Sequence, residues 1–327
     1  DDDCDGETDE GVALTFYEDA DGDGFGSATS TTDACDVPDG YSISADDCDD
    51  ALAEVNPGAE EICDDGLDND CDTLAGACEL DAEASDVVFW GAAAFDNAAM
   101  AVSGGGDLNG DGLDDLVIGA KHESTAASQA GAAYVIYGRP ATGEGSFAEA
   151  TADTDGVMSL ADADIVLTGE LAADKAGRQV AIVPDVNSDG NADLLVASPG
   201  ADNPAAFSGT VYVLFGGGSS GSLSDADLII EGTTGYNYTG FGLAGGDLVA
   251  AGDSNDILIG ATGNDVGGDN TGTIWIVPGV VNPGEIQVDD IDDYITGKAV
   301  NDGIGGSFDV LDVNGDGQDD LVIGSAD

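Results

Sequence analysis

The chain has 327 residues, of which 68 are Asp or Glu and 5 are Lys or Arg, giving a formal net charge of −63. That balance excludes nucleic acid and anionic membrane as partners, because a phosphate surface needs Lys and Arg to neutralise it. With 42% hydrophobic residues the chain can still bury a core, and no apolar run approaches the roughly 20 residues that insert across a bilayer.

All six cysteines (Cys4, Cys35, Cys48, Cys63, Cys71 and Cys78) fall in the first 78 residues. An even count in a short Gly/Asp-rich stretch reads as a disulfide framework and an oxidising compartment. A zinc site is the weaker reading, since no C-x-x-C pair is present. Asp far outnumbers Glu and recurs at fixed offsets in Gly-containing loops, which suits ligand carboxylates for a hard cation better than a generally acidic surface. In this first region Asp19, Asp21 and Asp23, with the Phe25 carbonyl, form the first half of a calcium-type loop. Position 9 is Ser27, so the site must be completed from elsewhere, and Asp47 and Asp49 are the expected partners. A domain boundary is expected near Glu79, giving a Cys/Asp-rich module over 1–79 and a second region over 80–327.

The second region has no Cys, many Gly and short β-prone runs separated by turn residues. Four strands of one type end in Gly: Asp86–Gly91, Asp164–Gly169, Asp227–Gly232 and Asp292–Gly297, their glycines 78, 63 and 65 residues apart. A second series starting at Asp107, Asp185, Asp247 and Asp312 keeps step, 78, 62 and 65 apart. A third strand (GAAYVIYG, GTVYVLFG, GTIWIVPG) completes the first three units. Four antiparallel strands per ~65 residues is the size of one propeller blade. The fold class is therefore all-β, with about three and a half blades visible. The extra residues of the first unit, near Pro140–Ser159, are expected in a surface loop.

The loop D-x-N-x-D-G-x-x-D presents side-chain oxygens from positions 1, 3, 5 and 9 and a main-chain carbonyl from position 7, with Gly at 6 for the sharp turn. Three loops satisfy every position: Asp107, Asn109, Asp111, Leu113 and Asp115; Asp185, Asn187, Asp189, Asn191 and Asp193; and Asp312, Asn314, Asp316, Gln318 and Asp320. Oxygen-only ligands favour Ca²⁺, so three blade ions and at least one more in the first region are expected. The third unit, with 15 residues between Phe241 and Asp256 and no carboxylate at positions 3 and 5, is expected to be shortened and metal-free.

At these motifs the second region resembles the FG-GAP repeats of integrin α-subunit propellers and many bacterial surface proteins. The "FG" is read at Phe241–Gly242, with Ala98–Ala99, Ala176–Gly177 and Ile304–Gly305 in the other units. That register implies that the strands ending in Gly169, Gly232 and Gly297 are the outermost strands of blades one to three. It leaves Asp86–Gly91 over and the fourth blade with two strands, an open edge suited to pairing in trans or to a further segment. The first region resembles the Asp/Cys-rich metal-binding motif of MopE-type surface proteins, through Phe16–Gly26, Asp46–Asp50 and Asn56–Asp72. That motif implies the pairs Cys35–Cys48 and Cys63–Cys71, leaving Cys4 for Cys78. The only His, His122, lies outside the module, which argues against copper there.

Gly217-x-Ser219-x-Gly221 matches a hydrolase elbow, but it sits in a GGGSSGS linker without strand-to-helix context. Gly240-x-Gly242-x-x-Gly245 lacks a βαβ setting, and Asn237 is the candidate N-glycosylation acceptor. No catalytic constellation remains. The expectation is an extracellular, calcium-binding structural or adhesive module of the bacterial cell surface, self-associating into a filament or meeting other surface proteins or glycans. The alternative is the non-catalytic propeller of a larger secreted hydrolase or glycan-binding protein.

Overall fold

The computed structural model describes residues 14–34, 36–59, 62, 67–71, 87–140, 157–248, 255–279 and 282–325. The chain divides into two compact units, Asp1–Ser85 and Asp86–Asp327. Among the described residues there is no α-helix.

In the first unit β1 (Leu14–Glu18), β2 (Ser27–Ala34) and β3 (Tyr41–Ser42) form an antiparallel sheet in the order β2-β1-β3. Its apolar interior is small, with Phe16 and Val55 buried. A unit with so little core leans on a covalent link. That link is Cys48–Cys71, with Cα atoms 5.6 Å apart. It replaces the expected pairs Cys35–Cys48 and Cys63–Cys71. The cause is local: the Asn56 N–H donates to the Asn69 carbonyl, which lays the 67–71 segment beside the turn that carries Cys48. The Cys4–Cys78 expectation falls outside the described residues.

The second unit opens with β4 (Val88–Trp90). The first repeat then gives β5 (Ala98–Gly106), β6 (Asp115–Ala120), β7 (Ala132–Ile136), β8 (Val157–Ser159) and β9 (Ile165–Thr168). The second gives β10 (Gln179–Val183), β11 (Asp193–Ser198), β12 (Thr210–Leu214), β13 (Gly221–Ser222) and β14 (Leu228–Glu231). The third gives β15 (Gly242–Gly246), β16 (Asp256–Ala261), β17 (Thr273–Val277), β18 (Gly284–Gln287) and β19 (Tyr294–Thr296). A final pair, β20 (Ser307–Leu311) and β21 (Asp320–Gly324), begins a fourth.

Each full blade is a four-stranded antiparallel sheet: β5-β6-β7-β9, β10-β11-β12-β14 and β15-β16-β17-β19. The outermost strands are those ending in Gly169, Gly232 and Gly297, as the FG-GAP register implies. A fifth, parallel strand was not foreseen. β13 pairs with β9 and β18 with β14, so the segment ahead of the outer strand latches onto the outer strand of the preceding blade; β8 pairs in the same way with β4, as a separate two-stranded sheet. The stretch expected as loop up to Ser159 therefore ends in a strand.

The central strands are buried on both faces. Along β11, Leu194 and Val196 pack toward blade one, while Leu195 and Ala197 pack toward blade three. This is the period-2 alternation of a strand between two sheets. The contact is close enough that a Cβ on Gly119 would overlap the Gly177 carbonyl oxygen.

Backbone geometry corrects the "FG" register of the third unit. Gly240 has φ +87°, matching Gly177 at +73° and Gly305 at +92°, and it sits two residues before the strand start, as Gly177 does. The structural glycine is thus Gly240, and Phe241–Gly242 only resemble the motif. In the first unit Ala99 occupies this place at φ +61°. With the register restored, the third loop is not shortened, because Asp247 and Asp256 stand nine positions apart against eight for Asp107 and Asp115.

Candidate metal centre

The loop between β1 and β2 gathers carboxylates and holds them with its own backbone, taking both oxygens of Asp19 and one each of Asp21 and Asp23. Asp19 accepts from the N–H groups of Gly22 and Gly24, Asp21 Oδ1 from Asp23, and Asp23 Oδ1 from Phe25 at 2.8 Å. Gly22 and Gly24 have φ of +85° and +100°, a conformation that costs glycine little. From the 47–50 turn, Asp47 Oδ1 accepts from Asp49 N–H, and Asp50 Oδ1 from Ala20 N–H at 2.8 Å.

The carboxylates converge. One oxygen each from Asp19, Asp21 and Asp50 lie within 4.8 Å of one another, as do oxygens from Asp21, Asp23 and Asp47. The Oδ2 atoms of Asp21, Asp23 and Asp47 are buried and accept no hydrogen bond. Burial first, and then the Asp23 charge, raises the Asp21 pKa; burial first also raises Asp47, with Asp23, Asp21 and Asp50 adding to it. Buried, unpaired, mutually repelling oxygens are costly unless a cation joins them. An oxygen-only set of this kind fits a hard cation.

Asp19, Asp21, Asp23 and Asp47 are therefore brought together. Asp49 is not among them: it contributes its N–H to orient Asp47, and Asp50 stands in its place. The DDCDD run offered both residues, and only the turn decides which faces the loop.

The blade loops differ. In the first, Asp107 accepts from the N–H groups of Gly110, Asp111 and Gly112, and Asp111 Oδ1 accepts from Leu113 N–H. Asn109 bridges, its Oδ1 accepting from Asp111 N–H and its Nδ2 donating to Asp111 Oδ2. The same bonds recur at Asp185, Asn187 and Asp189, with Asn191 N–H as the last donor. They recur on the main chain at Asp312, Asn314 and Asp316, with Gln318 N–H last. These donors, Gly112 and Gly317 foremost, hold Asp107 and Asp312 below the usual carboxylate range.

Position 9 has a structural task. Asp115 Oδ2 accepts from Leu108 N–H and Oδ1 from Gly138 N–H, both at 2.7 Å. Asp193 does the same with Val186 and Gly216, and burial pushes it up to about 6. Asp320 accepts from Val313 N–H. Asp256, in the loop without a full ligand set, makes the same two bonds, to Leu248 and Gly279. No blade loop draws three carboxylates within 4.8 Å of one another among the described residues.

Asn237 is buried at 4% exposure, which withdraws it as a glycan acceptor; its carbonyl accepts from Gly263 N–H between the strands. Gly217 to Gly221 lead from β12 to β13, with only short 3-10 turns (Phe215–Gly217 and Leu223–Asp225) and no α-helix to form an elbow.

With this geometry in view, the known families fall into place. Residues 98–136 and 176–214 match the FG-GAP repeat, and residues 1–10 and 47–73 match the family described as "Putative metal-binding motif". The chain carries FG-GAP repeats of a β-propeller-like fold behind that motif, and both are non-catalytic domain types usual in extracellular or surface proteins. Over 161 residues the chain is 30% identical to a phosphatidylinositol-glycan-specific phospholipase D of Dictyostelium discoideum. The match takes in 47% of this chain and 16% of that protein. No helix among the described residues is long and apolar enough to cross a membrane.

Proposed function

We propose that this chain is a calcium-binding structural or adhesive module of a secreted bacterial surface protein, and not an enzyme. The observation that carries the reading is the set of buried, unpartnered Oδ2 atoms of Asp21, Asp23 and Asp47 facing one another in an oxygen-only pocket. Calcium is the hard cation that tolerates such a crowded, flexible carboxylate set. The three full blade loops, at Asp107, Asp185 and Asp312, are further calcium sites in this reading, and the loop from Asp247 is not. Ions there would fix the hairpins between blades, and the module would act by self-association, as in a filament, or by contact with surface proteins or glycans.

Calorimetric titration of chelator-treated protein tests this. Extracellular-type sites with Kd of ~10⁻⁴–10⁻³ M contribute on the order of 0.5–1.5 kcal/mol each at millimolar calcium. Melting temperature should fall on chelation, and anomalous signal for calcium should lie beside Asp21, Asp111, Asp189 and Asp316. A chain that binds no calcium and melts unchanged in chelator overturns the reading. The phospholipase match favours a second one, a non-catalytic propeller within a larger secreted hydrolase. Hydrolysis of glycosylphosphatidylinositol by the protein, lost on deleting residues outside 1–327, would select it.

A further inference from the structure

The turn before β5 meets the loop after β6 through the His122 N–H, which donates to the Asp96 carbonyl at 3.0 Å. Glu123 is fixed beside it. Its N–H donates to the Ala120 carbonyl, its carbonyl accepts from Gly131 N–H, and its Oε1 accepts from Thr125 N–H at 2.7 Å. The same main-chain bonds place Ala201 between Ser198 and Gly209 in the second repeat, and Asn264 between Ala261 and Gly272 in the third. The three repeats therefore hold equivalent pairs: Asp96 with Glu123, Asp174 with Ala201, and Asn237 with Asn264.

Their chemistry differs. In the second repeat Ala201 removes one polar group, and Asp174 Oδ2 accepts from Leu171 N–H. In the third both members are neutral, and Asn264 Oδ1 takes the Val266 N–H and the Thr273 hydroxyl. The first repeat has Ala132 where the third has Thr273, so that hydroxyl is missing. Here two carboxylates share the site. Asp96 is 7% and Glu123 5% exposed, and Asp96 Oδ2 and Glu123 Oε2 are buried without a hydrogen bond. Both residues line one cavity of about 460 Å³, together with His122, Ser124, Thr125, Ser128 and Gln129. Tyr134 lies against them: burial, then the Glu123 and Asp96 charges, push its phenol up to about 12.

Leaving a buried carboxylate oxygen unpaired is costly, and two in one place more so. We propose that Asp96 and Glu123 hold a hydrated divalent cation, at a site separate from the N-terminal pocket and from the Asp107, Asp185 and Asp312 loops. Two carboxylates with neutral oxygens and room for water suit a partly hydrated hard ion.

Equilibrium dialysis of the whole chain against Ca²⁺, and separately Mg²⁺, tests it. The variants borrow residues that sibling repeats already carry: Glu123→Ala from the second, and Asp96→Asn with Glu123→Asn from the third. Each should bind one ion fewer than the parent at saturation, with the ions at the other sites retained. Terbium emission excited through tyrosine should drop in Tyr134→Phe and vanish from this site in the double variant. In chelator the double variant should melt above the parent, because the like-charged pair is gone. An unchanged ion count in both variants overturns the proposal. Because Asp21 and Asp111 are untouched, calcium binding lost here is distinguishable from failure of the wider calcium reading.

Discussion

The N-terminal loop and the blade loops share one lettering, acidic residues at alternate positions followed by Gly, and the structure uses it in two ways. In the N-terminal loop Asp21 and Asp23 each give one oxygen to a backbone N–H and keep the other, while Asp19 gives both, and the 47–50 turn brings two more carboxylates over the top. In the first two blades the first Asp is saturated by three N–H donors and the last lies buried at the start of a strand with both oxygens engaged. Carboxylate spacing alone therefore does not distinguish an ion pocket from a hairpin brace. What distinguishes them is which oxygens the backbone has already taken.

The largest test of that contrast is at position 9. Asp193→Ala and Asp256→Ala each strip two buried N–H groups of a charged acceptor, which should cost about 2–5 kcal/mol. If position 9 is a brace, the two losses should be equal in chelator, measured by urea unfolding, although only the loop of Asp193 has a full ligand set. A small cost for Asp256→Ala would show that the position matters only when an ion is present.

Next in size is the ion itself. Asp21 belongs to both converging triads, so Asp21→Asn should weaken calcium binding at the N-terminal pocket by on the order of 100-fold, at or above what loss of an outer-shell partner does. Asp111→Asn should weaken its loop less, since both Asp111 oxygens are already engaged, Oδ1 by Leu113 N–H and Oδ2 by Asn109 Nδ2, whereas Asp21 Oδ2 has no donor. Calorimetry on the two variants gives the comparison directly. Equal losses would mean that the backbone bonds do not compete with the ion.

Much of this was legible in the sequence. The repeat spacing and the D-x-x-x-x-G strands gave the blades, because a strand buried on both faces must be apolar and must turn at fixed intervals. The latch strands were hidden because β8, β13 and β18 are short and pair by main chain, which leaves little side-chain pattern. A faint one exists, in that Leu160, Leu223 and Val288 each follow a latch strand and are buried. The register error at Phe241 arose because the letters F and G stood together, whereas the geometry asks only for a residue that tolerates positive φ. Gly240 meets that demand, and Ala99 meets it at a cost. Cys48–Cys71 and Asp50 depend on how two loop segments lie side by side, which residue spacing does not specify.

The smallest expected effect is in titration, and it has opposite signs at Asp21 and Asp47 on one side and Asp107 and Asp312 on the other. In chelator, Asp21 and Asp47 have folded pKa values above the ordinary Asp value, burial being the main cause. The folded state then holds those protons more tightly than the unfolded chain. Their ionised forms oppose folding at neutral pH, and this opposition fades as pH falls through the raised folded values. Asp107 and Asp312 are lowered by backbone donors, so their stabilisation is full above the unfolded Asp value and is lost as pH falls through the depressed folded one. Carboxyl-carbon NMR titration should place the midpoints of Asp21 and Asp47 above those of Asp107 and Asp312. Saturating calcium should then pull the Asp21 midpoint down, because the ion binds only the carboxylate. If all four midpoints coincide in chelator, the backbone has not divided the two loop types, and the difference between pocket and brace lies elsewhere.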